Sequence, residues 1–175
     1  MNRIITVYGS IAGVILLTSL AITMGLGTHG GIAGMVIGYL SMLISLSMVF
    51  VGVKRYRDEQ LGGVIRFGRA VGVGIGIAAF ASLFYVLGWE VYMWATDYSF
   101  AANYARSAIE HQQAAGASPA QIAELKAQMD DFARSYANPL FRMVMTLSEI
   151  APVALLVPLI SAALLRKPGF MPARA

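Results

Sequence analysis

The stretch that decides the fold is residues 31–59, which read GIAGMVIGYLSMLISLSMVFVGVKRYRDE. Its first part, to Val53, contains no charged side chain. About 20 apolar residues in a helix are enough to cross the hydrocarbon core of a bilayer. The cluster that follows, from Lys54 to Glu59, is too densely charged to stay in hydrocarbon. Residues 31–53 are therefore predicted to form a membrane-spanning helix that ends at the membrane surface.

Three further apolar stretches predict the remaining spans. They cover about residues 4–24, 71–94 and 140–165, and the last of them stops at Arg166 and Lys167. The composition agrees, because the chain is 58% hydrophobic and only 13% charged, whereas about 25% of the residues in an ordinary soluble domain are charged. We expect an all-α polytopic membrane protein in which the 175 residues form a single four-span domain.

Residues 96–138 differ from the spans, because ionisable side chains recur throughout them. Ser118 is a typical N-cap, followed by proline at the first helical position and by Gln121 at the third. Apolar residues then follow with helical spacing. We predict an amphipathic helix over about residues 119–137 and a second helix over about residues 100–115, paired in an extracytoplasmic hairpin between spans three and four.

The 13 Lys and Arg residues are distributed unevenly between the two sides of the predicted spans. The larger group consists of Arg3, Lys54, Arg55, Arg57, Arg66, Arg69, Arg166, Lys167 and Arg174. The smaller group consists of Arg106, Lys126, Arg134 and Arg142. The positive-inside rule then places both termini and the connector between spans two and three in the cytoplasm, and the turn at His29 and the helical insert on the opposite side.

The connector has a distinctive form: Lys54-Arg55-Tyr56-Arg57-Asp58-Glu59, then Gly62-Gly63, then Arg66-Phe67-Gly68. With two spans before it, a glycine-rich third span after it and a helical insert before the fourth, the chain resembles a bacterial family of small inner-membrane proteins catalogued as domain of unknown function 4199. The resemblance covers most of the chain, from span one to span four. It implies a bacterial inner membrane and four spans, and it implies no activity.

Glycines recur at four-residue spacing in and beside three of the predicted spans. They are Gly9, Gly13, Gly30, Gly34, Gly38, Gly68, Gly72 and Gly76. This spacing removes side chains from one helix face, so that another backbone can approach closely. Such faces either hold the four spans together or form a homodimer interface or a moving helix contact.

The basic connector offers candidate contacts to anionic lipid headgroups, since each cation near the surface contributes roughly 1 kcal/mol. These contacts would be made by Lys54, Arg55, Arg57, Arg66 and Arg69. The alternative is that the same charges only set the topology. The basic residues flank apolar spans and form no continuous stripe on a soluble helix, so membrane lipid is expected as a partner and nucleic acid is not.

Two carboxylates fall within predicted spans, where an ionisable residue is a candidate functional residue by default. Glu90 lies near the outer end of span three, and Glu149 lies deeper, in span four. We expect Glu149 to face the interior of the bundle, with Arg142 and Glu90 as its candidate partners.

No catalytic motif is visible. The chain has no cysteine, no serine-centred elbow and no catalytic motif of paired aspartates, and His29 and His111 lack the spacing of metal ligands. We therefore expect neither an enzyme nor a cofactor. One hypothesis is a scaffold or partner-binding protein that contacts another membrane protein or a second copy. The alternative is a small transporter or ion-coupled component in which Glu149 is protonated or binds a cation.

Overall fold

A computed structural model describes residues 1–25, 31–167 and 169–172. Within these residues the chain forms helices and no strands. The helices are α1 (Asn2–Gly25), α2 (Gly31–Gln60), α3 (Phe67–Ala95), α4 (Phe100–Ala114), α5 (Pro119–Tyr136) and α6 (Pro139–Leu165). Of these, α1, α2, α3 and α6 are long and apolar enough to cross a membrane. The prediction of an all-α fold with four helices long and apolar enough to span a membrane is confirmed for the described residues.

Helix α2 continues beyond the predicted end of the second span and includes the charged cluster. Two ion pairs at helical spacing support this extension. Lys54 Nζ lies 2.6 Å from Asp58 Oδ2, and Arg55 Nε lies 2.6 Å from Glu59 Oε1. The backbone turns at Gly62, where φ is +64°, a value that glycine adopts readily. The first part of the connector is therefore a helical extension of α2.

Contacts divide the chain into two compact units, one of Met1–Gly88 with Leu147–Ala175 and the other of Trp89–Thr146. The single-domain organisation stays a prediction. In the first unit, α1, α2, most of α3 and most of α6 surround an apolar core. Its most deeply buried side chains include Leu46, Ile77 and Ile150.

Four chain segments meet at one end of the first unit. The N-terminal ammonium donates to Gln60 Oε1 at 3.1 Å, so α1 and α2 run antiparallel. Arg57 Nη1 donates to Leu165 O at 3.5 Å, and Arg69 Nε donates to Tyr56 Oη at 3.1 Å. This basic end consists of residues 1–8, 51–69, 165–167 and 169–172. The connector, the start of α1 and residues 169–172 thus lie at the same end of the first unit, and the assignment of that side to the cytoplasm stays a prediction.

The second unit contains the α4–α5 hairpin. The predicted capping box is present at the start of α5, because Gln121 N donates to Ser118 Oγ at 3.3 Å and Ser118 N donates to Gln121 Oε1 at 2.8 Å. The chain turns between the helices at Gly116, where φ is +79°. The rings of Tyr104 and Phe132 meet across the hairpin, with centroids 5.8 Å apart. Both predicted helices are confirmed, and their extracytoplasmic location stays a prediction.

Candidate functional site

Two of the three residues that the sequence singled out within the spans form an ion pair in the second unit. Arg142 Nε donates to Glu90 Oε1 at 2.8 Å, and Arg142 Nη2 donates to Glu90 Oε2 at 2.5 Å. The arginine side chain is 1% exposed and the glutamate side chain 19%. A two-point contact of this kind fixes both planar groups in one orientation. The chain thus neutralises both of these charges internally.

Aromatic groups surround the Arg142 guanidinium. Its Cζ lies 5.2 Å from the ring centroid of Tyr98 and 5.9 Å from that of Tyr136, within the range of cation–π attraction. Its Nη1 also donates to the carbonyl oxygen of Tyr136 at 3.0 Å, and the phenol of Tyr136 accepts from Trp89 Nε1 at 2.7 Å. The arginine therefore links the last turn of α5 to the ends of α3 and α6 within this unit.

A column of aromatic rings continues from this cluster into the hairpin, and the sequence analysis missed it. Ring centroids are 4.8 Å apart for Trp89 and Phe100, 6.1 Å for Phe100 and Tyr104, and 5.0 Å for Phe132 and Tyr136. The sequence contains a signal for this column, because four residues separate Phe100 from Tyr104 and also Phe132 from Tyr136, which places each pair on one helix face. The column makes the hairpin side of the unit largely aromatic.

Glu149 belongs to the first unit, but its side chain lies at the surface of that unit and not in its interior. The expected interior position was therefore wrong. Its side chain is exposed, while its α6 neighbours Ile150 and Val153 are buried in the core. Val153, four residues after Glu149, is buried and Leu156, seven residues after it, is exposed, so Glu149 lies at the border between the buried and the exposed face of α6. Among the described residues its hydrogen-bond partner is Tyr85, whose Oη donates to Glu149 Oε2 at 3.4 Å. The expected partners Arg142 and Glu90 bind each other instead.

Arg57 does not have the exposed position that a contact with lipid headgroups requires. Its side chain is 2% exposed, so it is not a headgroup contact. Its Nη1 donates to Phe170 O at 2.9 Å and its Nη2 to Met171 O at 2.5 Å, while its Nε donates to Asp58 Oδ1 at 2.6 Å. Arg57 therefore fastens the C-terminal tail to α2. No local sequence signal marks this role, because neither the position nor the path of the tail can be read from local composition.

The other connector cations remain candidates for lipid contact. Lys54 is half-buried, whereas Arg55, Arg66 and Arg69 are exposed. Arg69 also lies over the ring of Tyr56, with its Cζ 5.8 Å from the centroid. Contact of these four cations with headgroups stays a prediction.

Three of the predicted glycine positions hold the first unit together. A Cβ at Gly9 would lie 2.8 Å from Phe80, and one at Gly13 would lie 2.5 Å from Phe84, both on α3. A Cβ at Gly76 would lie 2.8 Å from an isoleucine side chain of α1. These separations are too short for any side chain, so the three glycines allow α1 and α3 to pack closely.

The remaining glycines behave differently. A Cβ at Gly38, Gly68 or Gly72 would meet nothing within 4 Å, so these positions leave open helix surface. Gly34 is buried, and Gly30 lies outside the described residues. The homodimer or moving-contact interpretation therefore stays open for Gly38, Gly68 and Gly72.

The described residues show no group of three or more His, Asp or Glu side chains that could hold a metal ion. His111 is exposed on α4, and His29 falls outside the described part of the chain. The charged groups at the candidate positions are the Glu90–Arg142 pair, the exposed Glu149 carboxyl group and the ion-paired side chains of the basic end.

A family model described as protein of unknown function (DUF4199) matches residues 7–167. The chain belongs to this family. The resemblance of the connector and spans is thereby confirmed. No curated protein and no solved structure matches the chain.

The DUF4199 match covers the Glu90–Arg142 pair, Glu149 with Tyr85, and Arg57. The tail carbonyls that Arg57 binds lie beyond the matched range. The family description states no activity, so the roles of these residues rest on their geometry alone.

Proposed function

We propose that this member of the DUF4199 family is a partner-binding scaffold of the bacterial inner membrane, with both termini in the cytoplasm and a binding rather than a catalytic role. The partner is a transmembrane helix of another protein or of a second copy, and it packs on the face of α6 that carries Glu149. The uneven distribution of Lys and Arg supports the orientation. The outward position of Glu149 supports the binding role.

The exposed carboxyl group carries this proposal. Glu149 is ten residues from Pro139, which starts α6, and therefore about 15 Å along the helix from that end. Placing an acidic group at the centre of a membrane helix costs about 3 kcal/mol on insertion scales. Tyr85 supplies one long hydrogen bond of 3.4 Å to Glu149, and hydrocarbon offers no further donor to offset this cost, whereas a neighbouring helix with a donor side chain does. A transmembrane partner that donates to Glu149 therefore stabilises the assembly.

The surrounding surface fits a helix partner. Leu156 and Ile160 follow Glu149 at helical spacing on the same side of α6, and both are exposed. Pro152, between them and Glu149, is exposed as well. This face therefore combines apolar packing area with one polar group that selects a complementary partner.

The internal ion pair argues against the transport alternative. An ion-coupled mechanism with paired protonatable groups needs both carboxylates to face one cavity. Glu90 is instead held by Arg142, and Glu149 is outward-facing beside Tyr85. The exposed carboxyl group of Glu149 favours contact with a partner.

Photo-crosslinking from single cysteines tests the proposal. The chain has no cysteine of its own, so Leu156→Cys can be labelled selectively with a maleimide–benzophenone reagent in native membranes. Leu156 is 57% exposed. We expect illumination to yield an adduct larger than the labelled chain, containing either a second copy or another membrane protein.

Leu83→Cys is the matched control, because Leu83 is 56% exposed on α3 and lies on another face from Tyr85. The adduct should be much weaker from this position. It should also decline when Glu149→Leu is combined with Leu156→Cys, and persist with Glu149→Gln, because the amide still accepts a hydrogen bond. Equal yields from Leu156 and Leu83, or lipid adducts alone, would contradict the proposal.

A further inference from the structure

A cavity of about 490 Å³ opens at the basic end of the first unit. It is lined by Tyr8 of α1, by Lys54, Arg55, Asp58 and Glu59 of α2, and by Met171 of the tail. The α2 residues recur at spacings of three and four, so they form one face of the helix. The cavity therefore presents two cations, two carboxylates and a phenol within a small volume.

The two cations and two carboxylates that line the cavity balance in charge, and Asp58 also accepts from the buried Arg57, whose Nε lies 2.6 Å from Asp58 Oδ1. Lys54 pairs with Asp58, and Arg55 pairs with Glu59, with 2.6 Å between the charged atoms in each pair. Arg55 Nη1 also donates to Tyr8 Oη at 3.2 Å. A purely anionic ligand would approach both carboxylates and gain little. A ligand that carries one anion and one ammonium group can bind the cations and the carboxylates together.

An apolar track continues from the cavity along α2. Val51 lines the cavity, and Ile44 and Leu40 follow at helical spacing toward the apolar part of the helix. All three side chains are exposed. Such a track suits a hydrocarbon chain, since apolar surface along a span packs against acyl groups. A charged cavity above an apolar track matches the division of a phospholipid into headgroup and tail.

The tail forms one wall of this cavity, and buried contacts fix its position. Arg57 binds the carbonyls of Phe170 and Met171. The ring of Phe170 packs edge-on against Phe50, with centroids 6.5 Å apart. The wall is therefore anchored to α2 by a guanidinium group and by a ring contact.

We infer that this cavity binds the headgroup of a zwitterionic phospholipid with a primary ammonium group, as in phosphatidylethanolamine. The phosphate contacts Lys54, Arg55 and the phenol of Tyr8. The ammonium group donates to Asp58 and Glu59, and one acyl chain follows Val51 into the membrane. This site differs from the α6 face and does not depend on a protein partner.

Native mass spectrometry of the full chain tests the inference. The protein is released from mixed micelles that contain equal amounts of phosphatidylethanolamine and phosphatidylglycerol, and the bound lipids are counted. We expect the wild type to retain phosphatidylethanolamine preferentially. Glu59→Gln removes one carboxylate from a half-exposed pair, so the fold should persist. The ratio of the two bound lipids should shift by about fivefold toward phosphatidylglycerol.

Asp58→Asn combined with Glu59→Gln should shift the ratio further in the same direction. Glu110→Gln, at an exposed position on α4, is the matched control and should leave the ratio unchanged. A wild-type ratio equal to that of the micelles, or a Glu59→Gln ratio equal to wild type, would overturn the inference. Soluble phosphoethanolamine that binds without displacing lipid would also overturn it, because the cavity would then take a free metabolite.

Discussion

Replacing Glu90 by glutamine removes one charge of the Glu90–Arg142 pair and keeps the size of the side chain. Removing one partner of a buried ion pair costs about 3 to 5 kcal/mol. Glu90 is 19% exposed, and glutamine still accepts one hydrogen bond, so the cost should approach that of a charged hydrogen bond, about 2 kcal/mol. The equilibrium for opening the second unit should therefore rise about thirtyfold.

Arg142→Met should cost more, about 3 to 5 kcal/mol. It also removes the bond to the Tyr136 carbonyl and the contacts with the rings of Tyr98 and Tyr136. In a double-mutant cycle, the double variant should cost about 2 kcal/mol less than the sum of the two single variants, because the lost interaction is shared.

Amide hydrogen exchange of α4 and α5 in detergent micelles measures these opening free energies. Glu110→Gln serves as the control for loss of a surface carboxylate on α4. Added salt should change the exchange of the wild type little, because a buried pair is weakly screened. A coupling energy below about 0.5 kcal/mol would refute the claim that this pair stabilises the unit.

Reporter fusions after Arg57 should behave as cytoplasmic and a fusion near Gly116 as exported, and the opposite pattern would reverse the assignment of every loop. Replacing Leu125 and Met129, both half-buried on α5, by aspartate should make the hairpin more sensitive to protease while membrane insertion is retained; unchanged cleavage would argue against a packed helix. Glu149→Gln should preserve partner capture and protein abundance, whereas loss of function in an abundant, inserted variant would support the transport alternative.

The helices could be predicted from the sequence because their signals are local. Hydropathy marks each long helix within its own residues, and the capping box at Ser118 needs only four consecutive positions. The end of α2 was placed too early, because the charged cluster was taken only as a stop signal. The pairing of Lys54 with Asp58 and of Arg55 with Glu59 also allows the helix to continue.

The site could be predicted only in part, because its geometry depends on contacts between distant residues. Glu90, Arg142 and Glu149 were identified from charge within apolar spans. Which of them would pair depended on the helix face that each one occupies, and the exposed position of Glu149 depends on packing that local sequence does not encode. Arg57 has the same chemistry as the other connector cations, and only the path of the tail makes it a buried anchor.

The anchoring of the tail by Arg57 has a consequence for biosynthesis. The carbonyls of Phe170 and Met171 lie 113 and 114 residues after Arg57 in the chain. While the ribosome is still making α3 to α6, the guanidinium group lacks these acceptors and must keep water or headgroups around it. These contacts of the basic end therefore form only after residues 170 and 171 have left the ribosome. In a chain that ends at Lys167, Arg57 would lose the carbonyls of Phe170 and Met171 and keep only Asp58 and the Leu165 carbonyl as hydrogen-bond partners.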